Sequence, residues 1–397
     1  MPALPLAEPE EVGLSGARLA RLTATFETAA AAGRIPGAVI AVARGGRLAH
    51  LAAVGHRDPV GGDPMRPDTL FWLASMTKPM TVAGALVLVE RGRLALADPV
   101  ARHLPELADR ELLGADGRRV PSARQPTVLD LMRHTNGMVE GMRGDTPVHR
   151  AYQEAFGDGM TALTGEEFVG RLAGCPLLHE PGAMWHYGFG IDVLGLIIES
   201  ITGRTLGEHL AEEVFGPLGM RDTGFGVPEG AAGRYAAALP RDPDTGRPQA
   251  LPDLSRARFE SGGAGAVGTA GDFLRFAQAL LGGGALGDAR ILGRKTVELM
   301  TADHLGPDTD DRLIGEIDPG YAGHGFGLGV TVRRRHGLAT TAGSPGEYSW
   351  PGAGGTYWWA DPREELCAVL CAHTPNRTDR SRAFQWMKTL VTAAIVD

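Results

Sequence analysis

Apolar residues run almost unbroken from Met80 to Val89, and a helix that is apolar all round belongs in a core. The segments on either side alternate more. Residues 14–32 carry apolar positions at helical spacing, with Ser15 as the cap and residues 33–36 as the stop. Residues 37–43 read as a strand, Gly45-Gly46 as a turn, and residues 48–54 as the hairpin partner. A polar loop over residues 58–68 leads into the apolar helix. From Ser75 to about Leu281 the period is mostly helical. Helices are predicted over 128–134, 166–172, 191–202 and 206–214, with Gly203 and Gly216-Pro217 as stops. Residues 222–253 are loop-rich, and Thr269 opens a helix to Leu281, with Asp272 completing a capping box. Beyond Leu281 the strand signals return. Residues 325–332 read as one glycine-rich strand, and residues 340–355 as a turn-rich approach to the next. Residues 357–360 and 365–373 are strands about an Asp361-Pro362-Arg363 turn. Residues 381–395 close the chain as a helix.

Strands at both ends with helices between them predict an α+β fold. Its antiparallel sheet is flanked by helices and carries an inserted helical domain. Residues 1–74 and 282–397 are expected to form the discontinuous α/β sheet domain, and residues 75–281 the mostly helical one. The active site belongs at the seam, where ligand sites concentrate.

Composition narrows the function. The 397 residues are 43% hydrophobic and 22% charged, as in soluble globular proteins. A formal net charge of −8 argues against a nucleic-acid or anionic-membrane partner. No apolar run has the length of a membrane span, and residues 1–11 lack the apolar region of a secretory signal. Cys367 and Cys371 lie four apart in a strand, about 13 Å of rise, too far for a disulfide. Together with the lone Cys175 they fit a reduced, cytoplasmic protein. No spacing resembles a metal site, and no cofactor is implied.

The candidate chemistry sits at the head of the apolar helix, in Ser75-Met76-Thr77-Lys78. A serine and a lysine three apart share one helix face. Pro79 is tolerated only in a first turn, so the helix is expected to begin at about Ser75, with the hydroxyl at the positive end of the dipole. A lysine desolvated on that turn can take the serine proton, which activates a serine without a histidine. Gly263 to Gly268 spells a dinucleotide fingerprint, but no buried strand precedes it; it reads as a tight glycine loop under the site. No Gly-x-Ser-x-Gly elbow occurs, which excludes an α/β-hydrolase. His134, His186, His324 and His373 are scattered and read as structural.

Four segments in order carry a family resemblance: 70–78 around Ser75, 131–138 with His134-Thr135-Asn136-Gly137, 185–195 around Tyr187, and 262–272. The chain resembles the serine β-lactamases and penicillin-binding proteins, and within them the class C β-lactamase-like family that includes the family VIII carboxylesterases. The resemblance implies Ser75 as nucleophile and Lys78 with Tyr187 as proton acceptors. It also implies departures. The β-lactamase Tyr-x-Asn becomes Tyr187-Gly188-Phe189, which loses an amide expected to hold a lactam. The Lys-Thr-Gly strand motif becomes Trp350-Pro351-Gly352, as in several family VIII esterases. Pro351 has no N–H and suits an edge strand, so Ala353 is the better oxyanion donor beside the Ser75 N–H. Trp350, Gly352 and Phe189 are the expected substrate contacts. If Trp350 is a pocket wall, its removal reranks substrates more than it destabilises.

The resemblance thus implies a serine carboxylesterase acting on small esters. An acyltransferase resembling the lovastatin side-chain enzyme shares all three catalytic residues, and a β-lactamase or D-amino-acid peptidase fits less well. Acyl chain, alcohol and oligomeric state are left open by these residues. Short acyl esters are expected to outrun long ones, with weak or no lactam turnover, in p-nitrophenyl ester panels run beside nitrocefin. Cephalosporin hydrolysis rivalling the best ester in kcat/KM would contradict this.

Overall fold

The computed structural model describes residues 4–397 except 115, 158, 161, 255 and 256. Helix α1 (Gly16–Ala31) is capped by Ser15, whose side chain accepts from the Arg18 N–H. It buries Leu19, Leu22, Phe26 and Ala29, spaced three and four apart. An eight-stranded antiparallel sheet follows: β1 (Gly37–Arg44), β2 (Arg47–Asp58) and β3 (Asp63–Pro64) early in the chain, then β4 (His324–Phe326), β5 (Thr331–Arg333), β6 (Tyr348–Pro351), β7 (Tyr357–Asp361) and β8 (Leu366–Ala372). Their order across the sheet is β4-β5-β6-β7-β8-β1-β2-β3. The first hairpin thus docks beside the last strand, with Ala38 opposite Ala372 and Arg44 opposite Leu366.

The middle of the sheet is covered on both faces. Ile40, Val42, Ala368 and Leu370 pack in one core with α1 and the closing helix α10 (Arg377–Thr392). Val39, Ala41, Cys367, Val369 and Cys371 pack in the other with the helix Ala270–Leu281. Double burial explains why β1 and β8 read as continuous apolar runs rather than alternating ones. The two cysteines therefore share a face, and all three cysteines are free and buried.

Between the sheet's two parts lie α2 (Thr77–Glu90), α3 (Val128–Met132), α4 (Pro147–Phe156), α5 (Gly165–Ala173), α6 (Gly190–Thr202), α7 (Leu206–Leu210), α8 (Ala270–Leu281) and, later, α9 (Arg294–Met300). Helix α2 is buried from Thr77 to Leu88 and packs on α6 and α7. The fold is α+β, an antiparallel sheet with flanking helices. Among the described residues no helix is long and apolar enough to cross a membrane.

Several expectations need correction. Residues 325–332 are two short strands, β4 and β5, around a turn with Gly329 at φ 77°. Thr269 caps α8 as expected, but the Asp272 carboxylate does not close a capping box. It accepts from the Asp222 N–H (2.8 Å) and the Thr223 hydroxyl (3.0 Å), pinning the loop-rich segment to the helix. The closing helix starts at Arg377, four residues early, because Asn376 caps it by accepting from the Asp379 N–H. Helices α4 and α9 were not predicted individually. Strand β6 is interior in the sheet order, not an edge. Its pairing with β5 stops at Ser349, so Pro351 lies beyond the ladder and needs no N–H on that side.

A buried ionic cluster ties β5, β6 and α10 together. Glu347 accepts from Arg333 Nε (2.7 Å) and Lys388 Nζ (2.6 Å), and all three side chains are at most 5% exposed. Burial pushes the Lys388 pKa down, while Glu347 pulls it back. Removing the carboxylate strands two buried cations. Glu347→Ala is expected to cost about 3–5 kcal/mol of stability in denaturant unfolding. A loss under about 1 kcal/mol, the worth of a surface pair, would show that the cations find water instead.

Candidate active site

The apolar helix positions the first two groups. Ser75 lies in a 3-10 turn, Ala74–Met76, and the α-helix proper begins at Thr77, two residues later than expected. Pro79 falls in the first turn of α2, where its missing N–H leaves no bond unmade. Ala74 has φ 49°, a left-handed conformation that strains a non-glycine residue. It presents Ser75 into a cleft of about 840 Å³. Lys78 is 2% exposed. Its Nζ stands 3.5 Å from Ser75 Oγ and donates to the Gly263 carbonyl at 2.8 Å.

Tyr187 completes the group. Its hydroxyl donates to Ser75 Oγ at 2.7 Å, and Lys78 Nζ stands 4.4 Å from its ring centroid. The ring is 3% exposed and rests on His134, 4.7 Å between centroids. His134 has φ 55° and is fully buried, with neither ring nitrogen hydrogen-bonded among the described residues. Burial, with Lys78 nearby, pushes its pKa well below the usual histidine range, so it is a neutral platform. Asp130 secures the segment after α3 by accepting from Arg133 (3.0 Å) and the Thr135 hydroxyl (2.9 Å). Burial pushes its carboxyl up, but Arg124 and Thr127 outweigh that and hold it at about 2.

The glycine loop lies against the lysine, in keeping with its reading as a tight loop under the site rather than a dinucleotide fingerprint. Asp192, buried on α6, accepts from the Ser261 hydroxyl and from the Gly263 N–H (3.1 Å). Burial raises its pKa and Lys78 opposes that. A Cβ on Gly263 would come within 2.4 Å of that carboxylate, so only glycine lets the loop carry its carbonyl to Lys78. Neither Asp192 nor Arg143, whose guanidinium lies 4.3 Å from the Tyr187 ring centroid, was singled out in the sequence. Asp192 had a signal, a carboxylate inside an apolar helix; Arg143 had none.

The strand after Trp350 closes the cleft. A Cβ on Gly352 would meet Thr356 Oγ1 at 2.0 Å and the Leu73 carbonyl at 2.5 Å, so this glycine lies against the Ser75 turn. Its N–H donates to the Thr356 carbonyl (2.7 Å). The Ala353 N–H makes no such bond among the described residues. Pro351, Gly352 and Ala353 line the cleft with Ser75 and Tyr187. Trp350 also borders it but is 1% exposed, packed against Tyr187 and Phe326 at 5.3 Å and stacked on Tyr321 at 6.0 Å. Phe189 does not border the cleft. It lies within the helical core against Tyr152, Phe156 and Phe168. The early start of α10 adds Arg377 and Arg380 to the cleft wall beside Ser381, and Arg380 donates to the Ala353 carbonyl.

A half-buried hydroxyl meeting a buried amine and phenol in a cleft on this fold defines a serine hydrolase. The profile of the beta-lactamase family matches residues 22–390, and the chain belongs to that family. Protein Rv1367c of Mycobacterium tuberculosis is 39% identical over 357 residues, 87% of this chain and 88% of its own. Esterase EstB of Burkholderia gladioli is 32% identical over 409 residues, covering 98% and 97%. Among solved structures, EstCE1, described as a hydrolase with promiscuous acyltransferase activity, superposes with a TM-score of 0.79. It shares 30% identity and covers 94% of this chain and 98% of its own.

The burial of Trp350 revises the expectation that its loss affects substrate ranking more than folding. Trp350→Ala is expected to cost about 3–5 kcal/mol and to lower kcat, because Tyr187 loses a ring that backs it. Thermal melts beside an ester panel check both. An unchanged melt with a reranked panel would restore the pocket-wall reading.

Proposed function

We propose that the protein is a carboxylesterase of the family VIII type, hydrolysing small esters through an acyl-enzyme on Ser75. The observation that carries the reading is the 2.7 Å contact between Tyr187 Oη and Ser75 Oγ, with Lys78 Nζ 3.5 Å from the same oxygen. Lys78 and Tyr187 together accept the Ser75 proton as Oγ attacks the ester carbonyl. The Ser75 and Ala353 N–H groups receive the oxyanion. The tetrahedral adduct collapses, the carbon–oxygen bond to the alcohol breaks, and Tyr187 returns the proton to the departing alkoxide. Water, deprotonated by the same phenol, then releases the acid and regenerates Ser75.

The name of Esterase EstB supports ester chemistry, and the description of EstCE1 as a hydrolase supports hydrolysis. The loss of the lactamase amide and lysine, through Phe189 and Trp350, weighs against lactams. Gly352 and Ala353 are proposed to form the wall against which the ester sits, backed by the buried Trp350; Phe189, away from the cleft, shapes it only through the helical core. Free, buried cysteines suit a reducing compartment, and we place the enzyme in the cytoplasm. Acyl transfer to an alcohol is the second reading, favoured by the activity named for EstCE1. Product partition with and without an added alcohol separates the two.

Ser75→Ala is expected to abolish p-nitrophenyl ester hydrolysis with an unchanged melt. Full activity in the purified variant would put the nucleophile elsewhere. Lys78→Ala and Tyr187→Phe are each expected to lower kcat by at least about 10²-fold. A loss confined to KM would reassign them to binding.

A further inference from the structure

Two buried histidines face each other at the edge of the cleft. His149 lies on α4 and His186 directly precedes Tyr187; they are 3% and 5% exposed. Their Nε2 atoms stand 3.3 Å apart. His186 borders the cleft, together with Met142 and Arg143 of the turn Gly141–Arg143. Neither ring takes part in the reaction proposed above. The two lie 37 positions apart in the chain, so no sequence spacing announces the pair.

Both outer nitrogens are already held. His186 Nδ1 donates to the Tyr187 carbonyl at 3.0 Å, which fixes the proton there and leaves Nε2 with a bare lone pair. His149 Nε2 therefore donates across the 3.3 Å gap, and its Nδ1 accepts from the Thr146 hydroxyl at 2.8 Å. When the His149 proton moves from Nε2 to Nδ1, the hydroxyl accepts instead of donating, and two lone pairs converge on one point. No proton is gained or lost in this exchange of tautomers. Burial keeps both imidazoles neutral near pH 7: it lowers His149 and brings His186 down to about 4.

Two lone pairs at this separation have the spacing of neighbouring ligands on a tetrahedral ion. Zinc–nitrogen bonds of about 2.0–2.1 Å put two such nitrogens about 3.3–3.4 Å apart. A ligating histidine ordinarily gives its other N–H to a carbonyl or similar acceptor, and the Tyr187 carbonyl and Thr146 hydroxyl are those acceptors. Gly144 leaves room beside the ring, where a Cβ would come within 2.6 Å of His149 Nε2. Its φ of −176° is extended backbone open to any residue, so space and not conformation asks for glycine.

We infer that His149 and His186 form a site for a borderline divalent cation of the Zn²⁺ class, which braces α4 against the segment carrying Tyr187. Imidazole nitrogen suits zinc, nickel and copper rather than magnesium or calcium. Among the described residues no third histidine, cysteine or carboxylate joins the pair, so water from the cleft fills the remaining positions. Charge acts both ways. Arg143 and His179 disfavour positive charge at His186, while Asp145 favours it at His149 and Glu140 is bonded to Arg143.

The test is calorimetric titration of the metal-stripped full chain with Zn²⁺, with Mg²⁺ as control, beside thermal melts. One Zn²⁺ per chain is expected to bind and to raise the melt, since a ligand held only by the folded state stabilises it. Mg²⁺ is expected to do neither. His149→Gln and His186→Gln each remove that binding and the rise. Thr146→Val, which keeps both imidazoles, is expected to weaken Zn²⁺ about 10–100-fold, and Thr146→Ser to restore it. Absence of saturable Zn²⁺ binding overturns the site and leaves the pair a plain hydrogen bond. Binding that persists in both histidine variants places the metal on other residues and overturns it too, as does an affinity unmoved by Thr146→Val. None of these readouts involves Ser75 or ester turnover, so the esterase reading stands or falls separately.

Discussion

A lysine ammonium held 2% exposed at the head of an apolar helix is the constraint the rest of the structure answers. A buried charge is tolerated only with fixed partners around it. Lys78 has three: the Gly263 carbonyl, the Ser75 hydroxyl and the face of Tyr187. Each partner recruits a different part of the chain. The carbonyl needs a glycine loop tied to Asp192 on α6. The hydroxyl needs the strained turn at Ala74. The phenol needs the His134 platform and the aromatic wall from β6. The sheet, the helices and the glycine loop thus converge on one amine.

The two non-glycine residues with left-handed backbone near the site, Ala74 and His134, follow from the same demand. Ala74 turns the chain from the short strand Phe71–Trp72 into α2 within a single residue, which aims Ser75 outward while Met76 and Thr77 stay buried. His134 reverses the chain after α3, so that its own ring, not a loop, lies under Tyr187. Such conformations persist only where the surroundings hold them. Around His134 that hold comes from Asp130, which binds the residues on either side of it. Around Ala74 it comes from Thr356 and Gly352, packed on the Leu73 carbonyl.

Much of this was legible in the sequence because it was local. The apolar run, Pro79 and the Ser75–Lys78 spacing carry their own geometry, and Ser15, Thr269 and the Gly45-Gly46 turn act within a few residues. The strands β1 and β8 were legible because double burial leaves no polar position to confuse the run. What stayed hidden depends on distant pairing. Residues 325–332 alternate like one strand, and only the ladder to β6 shows that Gly329 breaks them into a hairpin. Asp272 has the spacing of a capping box, but Asp222 and Thr223, fifty residues away, compete for its carboxylate. Phe189 follows Tyr187 by two residues, yet its position at the start of α6 turns it into the helical core. Arg143 has no local signature at all, since its partner ring is supplied by a segment more than forty residues on.

Replacing the strand lysine by Trp350 changes more than charge. An indole is large, so it fills the space behind Tyr187 and fixes that ring from the sheet side, with Tyr321 and Phe326 behind it. A lysine there would leave the ring free on that side and bring a cation that needs solvent or an anion. With the indole in place, the further cations at the cleft come from other elements, Arg143 from the turn before α4 and Arg377 and Arg380 from α10. That geometry also alters what surrounds a bound ester. In the proposed mechanism the ester meets the backbone of Gly352 and Ala353 on the β6 side, with Arg380 held by the Ala353 carbonyl. Dipoles fixed in an apolar surround stabilise a developing oxyanion without reorganising. In the proposed mechanism the burden of electrostatic stabilisation therefore shifts from the strand's side chain to its backbone, which is why the close contact of Gly352 with the Ser75 turn weighs more here than the identity of the residue two positions before it.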